Sequence, residues 1–379
     1  MAWSNVIGQS RIKDLLKHSI ASKQLAHAYL FYGIRGVGKQ PMAIEFARTL
    51  LCERQQPDPC DECPNCRKVG SLQHPDVRLV FPLPVGKNEE TGDDPLAALE
   101  PEQIDMVREQ LSLKARNLYH QIQIPKANFI KINSVRDIKR VSSLTSVEGA
   151  KKLFLVFDAD KMNPEASNSL LKTLEEPTEN TLLILTSSDK DRLLPTIISR
   201  CQLIQFSPLR DAEVASALET LDGVTSDEAL VIAKIAQGSY SVAKELLPTS
   251  VLAEREEVLR FLRASLGWKE ESLVEMIDDL ASSHDRPGIE RWLKLLQSWF
   301  RDALILRTGT EQGERIMSSD QSLVSFVEKF PHANLEGAIQ CVDNYIALVR
   351  KNVYLHLILT SLSFDLKKTL TRVPGEIRI

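Results

Sequence analysis

The sequence of 379 residues lacks any long hydrophobic run, and none of its apolar stretches approaches the ~20 residues that are needed to cross a bilayer. Residues 1–5 show neither the basic region nor the apolar segment of a secretion signal. We therefore expect a cytoplasmic protein with no membrane contact. The chain also lacks an excess of positive charge, because its net charge is −4. This argues against a general nucleic-acid coat and restricts any contact with DNA to local patches.

Cysteine is scarce outside one short segment. Cys201 and Cys341 stand alone. The other four cysteines are Cys52, Cys60, Cys63 and Cys66. In a reducing compartment such clustering indicates a metal site rather than disulfides, and two Cys-x-x-Cys steps with a fourth thiolate suit a closed, structural Zn²⁺ site. The alternative, four unligated thiols packed as small hydrophobic groups, is disfavoured because the segment 52–66 has few other apolar residues.

A glycine-rich loop follows an apolar run at 27–32 and precedes a helical pattern of apolar residues. Such a strand, loop and helix can cradle phosphate oxygens with backbone N–H groups, while a lysine adds a mobile positive charge. The residues predicted to bind phosphate are Gly33, Gly36, Val37, Gly38, Lys39 and Gln40. A chance glycine-rich turn is the alternative, and the flanking strand and helix disfavour it.

The loop departs from the pattern of a hydrolytic site at two places. A serine or threonine that holds Mg²⁺ normally follows the lysine, whereas Gln40 stands here. The buried run at 152–157 ends in Asp158, which we expect to face the phosphate loop because ligands bind at the carboxyl ends of parallel strands. A glutamate that orients water would come next, but Ala159 occupies that position. The loop is therefore suited to bind phosphate and poorly suited to hydrolyse it.

Strand and helix patterns alternate over residues 1–207, which predicts one α/β domain with a doubly wound parallel sheet. The predicted strands after the loop are 77–81, 129–132, 152–157, 181–186 and 202–206. Residues 82–126 interrupt the pattern, and we interpret them as a surface excursion that contains a helix at 101–113. The rest of the chain is helical, first in a small bundle (208–249) and then in longer helices (250–379).

Several motifs together resemble the clamp-loader branch of the AAA+ family. Besides the loop and the cysteines, they are His27–Phe31, His74–Asp76, Ser169–Pro177 and Ser199–Cys201. The resemblance is strong over residues 1–247, while the last third matches only as a helical block of suitable length. It implies an AAA+ P-loop domain (1–207) with an inserted zinc knuckle, a helical lid (208–249) and a helical collar (250–379).

In that family five subunits form a ring that opens a sliding clamp and places it on primed DNA for bacterial DNA polymerase III. The resemblance thus implies a hetero-pentamer with gamma/tau-type and delta-type subunits. A hydrolysing gamma-type member would also carry an arginine after Gly-Ser in the lid, and Gly238–Ser241 has none. The family pattern instead assigns Arg200 as a catalytic finger that acts in trans on a neighbour's ATP, with binding of ATP or ADP by this chain's own loop weak or absent.

Three alternatives stay open at this stage. The chain could be an active gamma-type ATPase or another AAA+ loader, which would require Mg²⁺ to be held without help from Gln40. It could also be a scaffold whose loop binds nothing. For Arg200 the alternative is an ordinary surface ion pair, which contributes little to stability.

Overall fold

The computed structural model describes residues 3–54, 56–86, 94–143, 151–178, 180–247, 251–267, 270–308, 321–351 and 353–371. The chain divides into two compact units. One unit consists of Met1–Ala217 and Gln237–Lys244, and the other of Leu218–Ala236 and Glu245–Ile379. The segment 208–249 contributes to both units, so the division into a P-loop domain, a lid and a collar stays a prediction.

The first unit is built on a five-stranded sheet. The strands are β1 (Ala28–Tyr32), β2 (Val77–Val80), β3 (Lys152–Val156), β4 (Thr181–Ser187) and β5 (Gln202–Gln205). They lie in the order β2-β3-β4-β1-β5, and every pairing is parallel. Leu30 in β1 is opposite Leu185 on one side and Leu203 on the other. The carboxyl ends of β1, β3 and β4 therefore lie along one edge of the sheet, where ligands of such folds bind.

Both faces of this sheet are buried, which explains the unbroken apolar runs in the sequence. Along β3 the side chains alternate, so that Leu153 and Leu155 enter one hydrophobic core while Phe154 and Val156 enter the other. The two cores confirm the predicted α/β fold with a parallel sheet covered on both sides.

Helices connect the strands of this unit. They are α1 (Ser10–Ala21), α2 (Lys39–Leu51), α3 (Pro64–Gly70), α4 (Pro101–Arg116), α5 (Ile132–Ser142), α6 (Pro164–Glu175) and α7 (Pro195–Ile198), followed by α8 (Asp211–Asp222), α9 (Ser226–Ala236) and α10 (Tyr240–Leu246) in the segment shared between the units. The start of α6 shows why the sequence dictates these bounds. Asn163 Oδ1 accepts the backbone N–H of Ala166 at 2.8 Å, and Pro164 occupies the first turn, where its missing N–H has no cost.

The second unit is helical in its described residues. Its longer helices are α11 (Val251–Leu266), α12 (Glu270–Ser283), α13 (Arg286–Thr308), α14 (Gln321–Lys329), α15 (Leu335–Arg350) and α16 (Leu355–Thr371). Trp292 on α13 is fully buried and packs edge-on against Phe261 with ring centroids 5.0 Å apart. Among the residues that the structure describes, none of the helices is both long and apolar enough for a membrane crossing.

The predicted strand at 129–132 is wrong. Ile130 forms a single bridge with Met162, and α5 already begins at Ile132. Only one residue of the apolar run takes part in strand pairing before the helix begins. Lys131, which lies between Ile130 and the helix, donates from Nζ to the carbonyl oxygen of Pro84 at 3.0 Å. The sequence pattern predicts a helix from Asn133 to about residue 149, and residues 144–150 of it lie outside the described part of the chain.

The interpretation of residues 82–126 as a surface excursion is also wrong for their described part. The helix predicted at 101–113 is present as α4, and its Val107 is buried in the same core as Leu99 and Ile124. Tyr119 after the helix is 5% exposed. This segment is thus part of the domain core, and its residues 87–93 lie outside the described residues.

Candidate functional site

The phosphate loop joins β1 to α2, and its bends require glycine. Gly33, Gly36 and Gly38 have positive φ values of 148°, 81° and 101°. A Cβ at Gly33 would lie 2.3 Å from the carbonyl oxygen of Phe206, and one at Gly36 would lie 2.1 Å from Ser239 Oγ. Neighbouring protein atoms therefore lie too close to the loop for a side chain to be accommodated at Gly33 or Gly36.

Lys39 stands at the start of α2 and holds the loop together. Its Nζ donates to the carbonyl oxygens of Gly33 and Ile34, both at 2.7 Å, and to Ser188 Oγ at 3.3 Å. Burial lowers the pKa of Lys39 to about 8, against the opposing effect of Asp158 and of a second nearby aspartate. The side chain of Val37, within the loop, is buried. The ammonium is thus positioned across the loop, where phosphate oxygens bind in related arrangements.

Gln40 and Asp158 meet at the carboxyl edge of the sheet, as expected from the sequence. Gln40 Nε2 donates to Asp158 Oδ1 at 3.3 Å, and Lys161 Nζ lies 3.0 Å from Oδ2. The backbone N–H of Asp158 donates to Thr186 Oγ1 at 3.1 Å, which fixes the aspartate in a left-handed conformation. Ala159 is buried and brings no carboxylate to this edge. Both oxygens of Asp158 therefore accept from protein donors.

A buried lysine completes this group. Lys114, near the end of α4, donates from Nζ to Gln40 Oε1 at 2.6 Å and to the carbonyl oxygen of His120 at 2.8 Å. Its ammonium also lies 5.5 Å from the centroid of the Phe157 ring. Burial lowers the pKa of Lys114 to about 7, and the carboxylate of Asp158 opposes that shift. The amide of Gln40 therefore connects an ammonium to a carboxylate.

Residues from the amino-terminal half of α10 cover the loop. The backbone N–H of Tyr240 donates to the carbonyl oxygen of Gly36 at 3.1 Å. The ring of Tyr240 packs edge-on against Tyr119, with centroids 4.9 Å apart. Tyr119 in turn accepts the backbone N–H of Ile7 at 2.8 Å through its hydroxyl. Ser241 Oγ donates to the carbonyl oxygen of Tyr119 at 3.1 Å. Uncharged groups of Tyr240 and Ser241 thus contact the loop and Tyr119 at the start of α10.

The four clustered cysteines come together after α2. The sulfur atoms of Cys52, Cys60, Cys63 and Cys66 all lie within 4.8 Å of one another. Cys60 Sγ and Cys66 Sγ are 3.9 Å apart, close to the ~3.8 Å expected for thiolates bound to one tetrahedral metal ion. The backbone N–H of Cys63 donates to Cys60 Sγ at 3.4 Å and lowers the pKa of Cys60 to about 6. The arrangement can bind a metal ion.

Arg200 lies at the opposite end of the sheet from the phosphate loop. It precedes β5, an edge strand, whereas the loop follows the neighbouring parallel strand β1, in which Tyr29 is paired with Gln202. From the sequence we expect the guanidinium to have no partner at this chain's own phosphate site, and both of its described partners lie outside the loop. Its Nη2 is 2.8 Å from Glu175 Oε1, and its Nη1 donates to the carbonyl oxygen of Thr196 at 2.9 Å. Arg200 therefore points along the outer surface of the domain and away from its own loop.

Comparison with known proteins connects these features to one family. The profile of the family described as "DNA polymerase III, delta subunit" matches residues 8–210. The delta′ subunit of DNA polymerase III from Bacillus subtilis is 31% identical over 343 residues, which are 90% of this chain and 88% of that protein. The delta′ subunit from Pseudomonas aeruginosa is 32% identical over 288 residues, or 74% of this chain and 70% of that protein. The chain belongs to the DNA polymerase III delta′ family of clamp-loader subunits.

Relatives outside the delta′ family are also detectable. The tau subunit of DNA polymerase III from Bacillus subtilis is 26% identical over 365 residues, which are 90% of this chain and 57% of that protein. Among solved structures, a gamma subunit-related protein of DNA polymerase III from Thermotoga maritima aligns with 94% of this chain and 99% of its own, at 14% identity and a TM-score of 0.38.

The structure of this delta′-family chain brings the predicted loop residues together with Asp158. It gathers the four cysteines and places Arg200 at the other end of the strands from the loop. The catalytic and binding roles of these residues stay predictions. Sequence reasoning missed Lys114 and Glu175 as members of the sites. A signal for Lys114 existed, because Ile104, Val107, Leu111 and Lys114 follow one another at helical spacing, so that the lysine continues the buried face of α4.

Proposed function

We propose that this chain is a non-hydrolysing subunit of a clamp-loader ring and that Arg200 acts in trans on the ATP of a neighbouring gamma/tau-type subunit. The observation that supports this most is the position of Arg200, at the sheet edge beside β5 and at the far end of the strands from its own phosphate loop. A planar and permanently charged guanidinium on an outer surface can pair with phosphate oxygens of a partner as charge redistributes during phosphoryl transfer.

The chain's own loop supports the non-hydrolysing part of the proposal. Gln40 offers an amide in place of the hydroxyl that would ligate Mg²⁺, and its N–H group already donates to Asp158. The buried Ala159 cannot orient a water molecule. The loop retains glycine geometry and Lys39, which are the parts that bind an anion. We therefore infer weak binding of ATP or ADP with negligible turnover.

The proposed partners follow from the family. The chain would join gamma/tau-type and delta-type subunits in a hetero-pentamer through its carboxyl-terminal helices, and the assembled ring would act on the sliding clamp and on primed DNA. We further propose that the cysteine cluster holds one structural Zn²⁺, since four cysteine sulfurs leave no open position for chemistry. Arg48 on α2 pairs with Asp61 inside the cluster, which attaches the metal module to the domain.

The decisive experiment mixes the chain with gamma/tau-type and delta-type subunits and measures assembly by native mass spectrometry and ATP hydrolysis in the assembled ring. Arg200→Ala should assemble normally while hydrolysis by the adjoining subunit falls, since finger arginines contribute on the order of 10³ or more in rate. Arg200→Lys should restore little of the neighbour's ATP hydrolysis, because lysine lacks the planar guanidinium that can donate to two phosphate oxygens at once. Arg108→Ala removes an exposed arginine of α4 and serves as the matched control.

Two outcomes would contradict different parts of the proposal. Failure of the wild-type chain to form a defined ring would reject the proposed assembly. A ring containing Arg200→Ala that hydrolyses ATP and loads clamps at the wild-type rate would reject the finger, and Arg200 would then be a surface residue paired with Glu175.

A further inference from the structure

The fit of Mg²⁺ to this phosphate loop can be tested on the residues that would hold it. In hydrolytic loops the ion lies between the hydroxyl after the loop lysine and the aspartate that ends the neighbouring strand. Here Gln40 and Asp158 occupy those positions and are bonded directly to each other, with 3.3 Å between Nε2 and Oδ1. The second oxygen of Asp158 faces Lys161 Nζ at 3.0 Å. Amide and ammonium protons are directed at the carboxylate, and such donors repel a divalent cation. The residues therefore do not fit Mg²⁺.

A different positive charge is built into the same place. Lys114 is fully buried, and its Nζ is 2.6 Å from Gln40 Oε1. Gln40 is 7% exposed, so the ammonium and the amide form a buried chain of hydrogen bonds that ends at the partly exposed carboxylate of Asp158. Burial of an ammonium is costly unless the group is hydrogen-bonded and close to negative charge. A phosphate bound at this site would provide the buried ammonium of Lys114 with negative charge that Asp158 supplies only in part.

The arrangement of charges favours an anion without a metal. Three ammonium groups lie at this edge of the sheet. They belong to Lys39 at the start of α2, to Lys114, which donates to Gln40, and to Lys161, which pairs with Asp158. The carboxylates that face them are Asp158 and Asp160, which both raise the pKa of Lys39. When the three lysines are protonated, positive groups therefore outnumber these two carboxylates at the loop, whereas a Mg²⁺-dependent loop relies on the bound ion for much of its positive charge.

We propose that Lys114, positioned through Gln40, takes the place of Mg²⁺ in this phosphate loop, so that the chain binds the diphosphate group of a nucleotide in metal-free form. This inference rests on the non-hydrolysing function proposed above and specifies the ligand of its loop. Lys114 is a positioning and charge-supplying residue, and the bound species is a nucleoside diphosphate or triphosphate that carries no divalent ion.

The test measures the affinity of the isolated full-length chain for ADP by calorimetry, once with excess Mg²⁺ and once with EDTA. The wild-type affinity in EDTA should equal or exceed that in Mg²⁺. Lys114→Met removes the charge and keeps the length of the side chain, and it should weaken ADP binding in EDTA by about tenfold, as expected for the loss of one charge-assisted interaction. Lys131→Met removes another buried lysine, one that donates to Pro84 and lies outside this group, and should bind like the wild type.

A second variant separates the charge from folding. Gln40→Thr combined with Lys114→Met restores the hydroxyl and removes the resident cation, so Mg²⁺ should now strengthen ADP binding several-fold. Melting curves of each variant report folding independently of affinity. If Lys114→Met melts far below the wild type, Lys114→Gln, which keeps a hydrogen-bond donor without the charge, replaces it and should show the same loss of affinity in EDTA.

Three results would overturn the inference. They are wild-type binding strengthened tenfold or more by Mg²⁺, no ADP binding in either solution, and unchanged affinity when a folded chain has lost the charge of Lys114. None of these depends on Arg200 or on other subunits. The ring and finger experiments therefore fail or succeed separately from this one.

Discussion

Lys114 Nζ and Gln40 Oε1 are 2.6 Å apart, although 74 residues separate them along the chain. One belongs to a segment that interrupts the strand and helix alternation, and the other opens the helix after the phosphate loop. Their contact makes α4 part of the loop's environment. It also makes the charge at the loop sensitive to pH, because burial brings the pKa of Lys114 to about 7.

The first prediction concerns the pH dependence of stability. In the unfolded chain Lys114 has its ordinary pKa of 10.5, and in the folded chain its pKa is about 7. Between these values the unfolded state binds the extra proton, so the free energy of unfolding should rise with pH by up to about 1.4 kcal/mol for each pH unit. Below pH 7 both states are protonated and this contribution becomes constant.

Urea denaturation of wild type and Lys114→Met at pH 6, 8 and 9.5 measures this effect. The difference in unfolding free energy between the two proteins should change with pH in favour of the wild type as pH rises. Lys39, whose pKa is also lowered, is present in both proteins, and its contribution cancels in the difference. Parallel pH profiles for the two proteins would contradict the prediction.

A second prediction concerns ATP turnover. The isolated chain should hydrolyse ATP negligibly, and Gln40→Thr alone should not create activity, because Ala159 still provides no group to orient water. Steady-state phosphate release measures both. Hydrolysis by the pure wild-type chain that is lost in Lys39→Ala would instead identify an active gamma-type site, with Arg108→Ala as a control for the preparation.

The third prediction concerns the metal. Elemental analysis should find one zinc per chain, and Cys63→Ser should lower the zinc content while the far-ultraviolet spectrum of the sheet and helices persists. The short α3 begins at the cluster, with Cys63 as its N-cap, whereas none of the five strands contains a cysteine of the cluster. Cys341→Ser, in the other compact unit, should retain zinc and serves as the matched control. A wild-type preparation that is metal-free and fully folded would refute the assignment.

The fourth prediction concerns the partner of Arg200. The side chains of Arg200 and Glu175 are 35% and 48% exposed, so their ion pair should contribute less than about 1 kcal/mol to stability. Glu175→Gln should accordingly leave melting nearly unchanged. In the assembled ring it should leave the neighbour's ATP hydrolysis equal or faster, because it removes a competitor for the guanidinium. A large fall in hydrolysis would mean that Glu175 positions Arg200 rather than competes for it.

The fifth prediction concerns the contact between the loop and α10. Gly36→Ala should destabilise the chain by about 1–3 kcal/mol, since φ is 81° and the new Cβ would lie 2.1 Å from Ser239 Oγ. Ser239→Gly removes the contact with Oγ and leaves the backbone strain and the contacts with Ser241. A double-mutant cycle should therefore show that Gly36→Ala costs less in the Ser239→Gly background. Equal costs in both backgrounds would show that the contact with Ser239 contributes nothing to the effect.

Features that depend on residues close together in the sequence could be predicted. The buried runs of β3 and β4, the glycine loop, the cap at Asn163 and the grouping of the cysteines all depend on neighbouring residues, and the structure has them. Contacts between distant segments could not be predicted. Lys114 lies on the apolar face of α4, but its contact with Gln40 depends on where that helix packs. The strand expected at 129–132 does not form, because only Ile130 pairs with another segment, at Met162, before α5 begins at Ile132.

Helix α2 begins at Lys39 and ends one residue before Cys52. Its 13 residues form a rod about 20 Å long that carries the phosphate loop at one end and a cysteine ligand at the other. Almost all of its side chains are buried, so the helix is packed along its whole length. If the proposed metal ion displaces this helix on binding, it should change the loop's affinity for an anion. Thermodynamic linkage would then require an anion in the loop to change the affinity for the metal by the same factor.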